Sequence, residues 1–337
     1  MTRRLFIVVM SAVAALAITG VVASAAPDRT SNNVVAKLHV QARIPIGRFA
    51  GGIVGAEGSV WAVAIYPKNE IVQINPGTNR VVARLALGGT PSPAEVAWIT
   101  YGDGSLWVSR KDAGEVDRVS LSPLKVVDRV KLESPFDVAV AGNSVFVPQF
   151  DPYQWSTIDT STNKTTDSQP ATGPTSAVFD NGAIWMLAHR AQTLLRIDPT
   201  TDTVTEKIPV KTGGSVPERV AAGFGSIWAT DPRSGSIARI DENTGKQLVE
   251  IVLPTVPLLN PYPIATGGGS VWVSADHGVG RIDPTTNQVT GTLRLAFDNK
   301  ACGPGADNIC TNGITYANDS VWVTDFYKRQ VLRISPR

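Results

Sequence analysis

Three histidines, His39, His189 and His277, are the side chains of this 337-residue sequence suited to proton transfer near neutral pH. His189 and His277 each follow a short apolar run with a central tryptophan, Ile184-Trp185-Met186-Leu187 and Val271-Trp272-Val273-Ser274. A histidine in such a turn can act as a general base, and Asp276 could orient His277 and keep it basic. His39 lies in an alternating polar and apolar segment and reads as a solvated surface residue. Cys302 and Cys310, the only cysteines, stand eight positions apart in a Gly- and Pro-containing loop. That spacing suits one local disulfide, and no histidine lies near enough in sequence to complete a zinc site. Asp298, Asp307 and Asn308 of the same loop offer oxygens, but in no ordered ligand spacing. No cofactor is firmly implied, and Mg²⁺ or Ca²⁺ is the kind these oxygens would admit.

The elements that position these groups come from an internal repeat. Gly58-Ser59-Val60-Trp61 returns at Trp107, at Phe146 in place of tryptophan, and at Trp185, Trp228, Trp272 and Trp322. Successive spacings of 46, 39, 39, 43, 44 and 50 residues match the period of propeller blades. Each unit reads as four short strands. The innermost strand enters a Gly turn, and the aromatic strand follows it in period two. A third strand then ends in turns such as Asp198-Pro199-Thr200-Thr201 and Asp283-Pro284-Thr285-Thr286. There Asp bonds back to the turn and Pro presets φ. The fold class is all-β, a seven-bladed β-propeller of four-stranded blades. The seventh unit stops at Ile334 without an outer strand, whereas Val34–Val40 repeats the outer-strand pattern of Val81–Leu85. The N-terminal strand is therefore expected to complete the last blade and close the ring. Six of eight tryptophans fill the repeat position, which leaves Trp98 and Trp155 free for other duties.

The N-terminus reads as an address. Arg3 and Arg4 precede an apolar run to Val22, and Ala23-Ser24-Ala25 forms an A-x-A site. Residues 1–25 read as a secretory signal, 26–33 as a linker and 34–337 as one propeller domain. Uncleaved anchoring is the alternative. The expected location is the bacterial periplasm or the extracellular space, with no transmembrane span after cleavage. With 18% charged residues and a formal charge of +2, nothing draws the chain to nucleic acid. A monomer is expected.

In such a ring the outer-to-inner and second-to-third connections meet on one face, around the channel mouth. Loops on a rigid scaffold are where binding groups gather. The entrances to the inner strands bring Arg48, Glu95, Asp137, Arg219, Tyr262 and Asn312. The second-to-third turns bring Arg110, Tyr153, Asp231, Asp276 and Tyr327, together with the candidate bases His189 and His277. This mixed ring suits a small molecule, a glycan or a protein partner.

Repeats of the form Gly-Ser-Val-Trp-Val-Ser followed by Arg-Ile-Asp-Pro-Thr-Thr resemble those of the virginiamycin B lyase (streptogramin lyase) family. They are also similar to the YVTN-type propeller repeats of exported bacterial proteins. The resemblance covers about residues 34–337. It implies a lyase that opens a cyclic depsipeptide ester with a histidine base and Mg²⁺ at the mouth. Matching positions would be His277 and His189, with Asp276, Glu95 or Asp137 near the metal. The residues following the aromatic, Val63, Ser109, Pro148, Leu187, Thr230, Ser274 and Thr324, depart from the family's Phe-Thr-Glu. Two functions follow: an exported binding propeller, or a lyase or ester/lactone hydrolase with a histidine base and a divalent metal. A quinoprotein-like redox site is a third idea, disfavoured by the commitment of the tryptophans to the repeat.

Overall fold

The computed structural model describes residues 35–66, 68–91, 97–166, 169–213, 216–254, 262–275, 278–295, 311–325 and 328–336. The putting of a large aromatic at one position per repeat fixes the architecture, because every such side chain packs into the next unit. Trp61 of blade 1 lies with Ile99, Leu106 and Val108 of blade 2. Trp107 meets Val145 and Val147 of blade 3, and Phe146 meets Ile184 and Met186 of blade 4. Trp185 meets Ile227 and Ala229, Trp228 meets Val271 and Val273, and Trp272 meets Val321 and Val323. Trp322 then returns to Val60 and Ala62 of blade 1, so the seventh interface closes the ring.

Seven small antiparallel sheets result. Blade 5 shows the pattern: Arg219–Gly223 innermost, then Ser226–Asp231, Ser236–Asp241 and the outer Gln247–Val252. The aromatic strand Ser226–Asp231 is buried throughout because neighbouring blades cover both its faces. The outer strand of blade 1, Arg80–Ala86, alternates half-buried and exposed, as one-sided packing requires. Among the described residues the sole helical piece is a single 3₁₀ turn, His189–Ala191.

A second set of contacts latches several blades to the next. The third-strand Arg333 lies 5.1 Å over the ring of its own Trp322 and donates to Pro76 O (2.6 Å) and Asn79 Oδ1 (3.0 Å) of blade 1. Arg118 does the same over Trp107 toward Thr160 O and Asn163, and Arg239 over Trp228 toward Pro284 O and Asn287. The three asparagines sit at φ of 54°, 55° and 59°, where Asn is among the few side chains that settle readily. Each therefore ends a turn and presents its carbonyl to the preceding blade. Blade 3 lacks the arginine. There Trp155 Nε1 and Thr157 Oγ1 donate instead to Asp202 of blade 4, at 2.9 and 3.1 Å. Trp155 is thus the latch of its blade and is not free.

The ring closes through the N-terminal segment, but not with the residues that the pattern suggested. The outer strand of blade 7 is Val40–Pro45, running from Val40 opposite Ile334 to Pro45 opposite Gln330. Ala36–Lys37 instead pairs in parallel with Gly291–Thr292 of blade 6, and Leu38 is fully buried between blades 6 and 7. A displacement by an even number of residues keeps every side chain on its own face, so alternation alone cannot distinguish the two registers. Residues 1–34, with the proposed signal and the whole of the linker, lie outside the described residues.

Arg333→Ala removes the latch across the closing seam. It is expected to cost about 1–2 kcal/mol for partly exposed charge-assisted bonds. Scanning calorimetry should show Tm lowered by roughly 2–6 °C. Arg333→Lys should not restore it, since a point charge cannot lie flat on the indole and reach two acceptors at once. An unchanged Tm for Arg333→Ala would contradict this assignment.

Candidate functional site

Seven inner strands wall a central cavity of about 280 Å³ to which every blade contributes. Ile53, Ile99, Ile264 and Ile314 supply apolar wall, while Trp98, Asp137, Ser176 and Arg219 place polar groups on blades 2 to 5. Arg219, 3% exposed, begins the inner strand of blade 5. Its guanidinium carbon lies 3.4 Å from the Trp98 ring centre and 5.0 Å from those of Phe136 and Tyr262. One terminal nitrogen donates to Asp137 Oδ2 (3.1 Å) and the other to the Tyr262 hydroxyl (3.2 Å). Asp137 also accepts from Ser176 Oγ (2.9 Å), Ala177 N–H (3.3 Å) and Val138 N–H (2.9 Å). Burial nonetheless pushes the Asp137 carboxyl above its ordinary range, against the pull of Arg219 and these donors. Two buried donors, Arg219 Nε and Trp98 Nε1, find no acceptor among the described residues.

Three residues expected at the mouth, Asp137, Arg219 and Tyr262, therefore meet in one cluster. Trp98 and Ser176 complete it. Trp98 carried a signal in the sequence, being a tryptophan outside the repeat position, whereas Ser176 carried none. His189 stands nearby: Nδ1 is 3.2 Å from Pro217 O, which can only accept. The Nδ1 proton is thereby fixed and Nε2 is left as the basic nitrogen of the neutral ring. Glu218, the next residue, is raised by burial, with His189, Arg219 and Arg233 opposing. Outward from Arg219 runs an aromatic strip: Phe136 to Phe150 at 5.9 Å, Phe150 to Tyr153 at 5.7 Å, and Arg190 4.5 Å over Tyr153.

Other expected residues lie elsewhere or are committed. Asp231 is fully buried and holds its own turn, accepting from Thr212 Oγ1 (2.6 Å) and the N–H groups of Arg233 and Ser234. Arg48 and Asn312 take their expected places in the inner strands Arg48–Ala56 and Thr311–Ala317. Glu95, Asp276, His277, Tyr327, Cys302 and Cys310 lie outside the described residues.

Arg110 belongs to a separate ionic knot. Its guanidinium, 1% exposed, donates to Glu115 (2.8 Å), Asp117 (3.4 Å) and Gly88 O (2.9 Å). Gly89, at φ 77°, passes so close that a Cβ there would come within 2.7 Å of the guanidinium. Arg129 Nε adds an ion pair to Asp117 Oδ1 at 3.2 Å, and Lys131 binds Glu115. The groove beside them, about 600 Å³, is larger than the channel cavity. Its cations are already spent on Glu115, Asp117 and loop carbonyls, so size does not make it the functional site. Asp117, which no sequence signal marked, is fully buried here. Burial lifts its carboxyl to about 6, Arg110 opposing and Glu115 adding to the lift.

Fold and cavity define a seven-bladed propeller with a polar cluster at one side of its channel. No family model matches the chain, and no curated protein matches it in sequence. Among solved structures it is similar to a streptogramin B lyase, with TM-score 0.70 and 19% identity over 89% of this chain and 96% of that one. It is likewise similar to virginiamycin B lyase from Staphylococcus aureus, with TM-score 0.74 and 16% identity over 89% of this chain and 100% of that one. The Pan2 WD40 domain of Neurospora crassa aligns with TM-score 0.65 and 8% identity, over 90% of this chain and 98% of that one. The chain thus shares the arrangement of the streptogramin lyases, and at these identities the likeness is one of fold.

The folded protein holds the Asp117 proton more tightly than the unfolded chain, so protonation at this site favours folding. That stabilisation is complete below about pH 4 and is lost as pH rises through about 6. Urea unfolding of wild type and Asp117→Asn across this window isolates it. Wild type should lose on the order of 2–3 kcal/mol relative to the variant between the two limits. A difference that stays flat would contradict the raised pKa.

Proposed function

We propose that this protein is a ligand-binding propeller that takes a small molecule into the channel mouth. One observation carries the reading: a buried arginine, braced by Asp137, Tyr262 and Trp98, lines a cavity while one of its N–H groups lacks an acceptor among the described residues. A buried ion pair is a poor way to gain stability, since apolar residues of similar size do as well or better. Its placement on the channel wall is better understood as a binding device. The proposed setting is outside the cytoplasm, and the support for that is the basic and apolar N-terminal sequence with its Ala-Ser-Ala site.

A lyase or ester hydrolase is the second reading. It is favoured by the oriented His189 ring and by fold likeness to proteins described as streptogramin B and virginiamycin B lyases. Among the described residues the divalent metal of that reading finds no ready seat. Asp137 is ringed by N–H and O–H donors and a guanidinium, which would repel a cation. Asp231 is spent on its turn, and no group of three or more His, Cys, Asp or Glu among the described residues could hold a metal. No metal-dependent step is derived.

A fragment screen by ligand-observed NMR tests the first reading. Fragments that bind wild type should be lost with Thr315→Phe, which sets a ring into the cavity from the half-buried blade 7 wall. Hits unaffected by that plug would place binding elsewhere. Hydrolysis of a simple aryl ester tests the second. If His189 is the base, His189→Gln should reduce the rate about 10²-fold or more. Wild type without esterolysis, or an unaffected variant, removes His189 from that role.

A further inference from the structure

Resting on the small-molecule reading, the charges and donors of the channel narrow the class of ligand. Arg219 is compensated by Asp137 at 3.1 Å, and the next residue, Glu218, adds a second carboxyl close by. Asp137 and Arg219 are the only charged residues on the cavity wall among the described residues, and their charges cancel. A buried anion entering here would compete with Asp137 for Arg219, and a buried cation would face the guanidinium, the one carboxylate on the described wall being Asp137, which Arg219 already holds. Either would surrender its hydration for no matching charge. Two donors on the wall's side chains find no acceptor among the described residues, Arg219 Nε and Trp98 Nε1, on side chains in van der Waals contact at 3.4 Å. Ser176 Oγ is already used, donating to Asp137 and accepting from Val220 N–H. The rest of the wall mixes the apolar Ile53, Ile99, Ile264 and Ile314 with Thr100, Thr266 and Thr315.

Size sets a further bound. At about 30 Å³ per water, a cavity of 280 Å³ holds the equivalent of roughly nine waters. That is below the usual range for drug-sized ligands, so the described walls admit a single ring with one polar substituent. We infer that the channel takes a small uncharged molecule that presents a carbonyl-type acceptor to Trp98 and Arg219 and an apolar ring to the isoleucine wall. The carbonyl oxygen has two lone pairs, one for each unpartnered N–H.

Benzamide, benzoate and benzylammonium share one ring and differ in charge, which makes them suitable probes. Saturation-transfer NMR and calorimetry on the full chain should show benzamide binding at least tenfold more tightly than either ion. Trp98→Phe keeps a ring beneath the guanidinium but removes the indole donor. It should weaken benzamide about tenfold, the worth of one hydrogen bond of about 1.4 kcal/mol. Benzoate binding as tightly as benzamide, or a Trp98→Phe protein with unchanged affinity, overturns the assignment. So does failure of all three probes up to their solubility limits. A charged fragment that binds wild type and is lost with Thr315→Phe would overturn the class while leaving the channel as the binding site. An empty fragment screen would remove both.

Discussion

The structure depends on one contact repeated seven times, an aromatic side chain of each blade buried against the strands of the next. Burying an indole removes about 150–250 Å² from water, worth about 4–6 kcal/mol per interface at about 25 cal/mol/Å². Because the blades form a ring, no interface is terminal, and the last one, Trp322 on Val60 and Ala62, is built from the two ends of the chain. Five of the six repeat indole N–H groups are settled by the same geometry, whereas Trp185 Nε1 has no acceptor among the described residues. Trp61, Trp107, Trp228, Trp272 and Trp322 each donate to the carbonyl five residues earlier, at 2.9 to 3.2 Å. The third-strand arginine then lies over the ring and reaches the neighbouring turn, so packing and hydrogen bonding close the same seam.

Such a scaffold leaves its inner strands free to differ. They line the channel on one side, although residues such as Ile53 and Ile99 also pack in the interblade clusters. Unlike residues can therefore stand at equivalent positions: Ile53 on blade 1, Trp98 on blade 2, Asp137 before the inner strand of blade 3 and Arg219 on blade 5. The asymmetry of the channel arises from these substitutions. Arg219 is held by four neighbours from blades 2, 3 and 6, which fixes its orientation before any ligand arrives. Such preorganisation lowers the ordering cost of binding.

Fold and site were unequally legible in the sequence. The ring was legible because the Gly-Ser-Val-Trp pattern is a local signal that recurs seven times with variations, supported by the Asp-Pro-Thr-Thr turns of two units. The exact closing strand was not, since Val34–Val40 and Val40–Pro45 alternate alike and differ only in where Leu38 and Ile44 become buried. Repeat alignment put Asp137, Arg219 and Tyr262 among the strand entrances of one face, and the structure brings these three into contact. It also grouped Arg110 with them, although that side chain turns into its own blade toward Glu115 and Asp117. Side-chain direction at a strand end depends on pairing partners that sequence spacing does not reveal. Trp155 read as spare for the same reason: its partner, Asp202, lies in the following blade.

Likeness to streptogramin lyases extends to the arrangement of blades, while the channel cluster is this chain's own evidence for what it does. The central claim is that Trp98 serves the channel while the repeat tryptophans serve the ring. An indole-region ¹⁵N–¹H correlation spectrum, with the Trp98 signal assigned through Trp98→Phe, reports on each ring separately during a titration with a channel-binding fragment. The account predicts that the Trp98 Nε1–H signal moves progressively while the signals of Trp61, Trp107, Trp228, Trp272 and Trp322 stay in place. A stationary Trp98 signal, or equal movement among the repeat tryptophans, would contradict it.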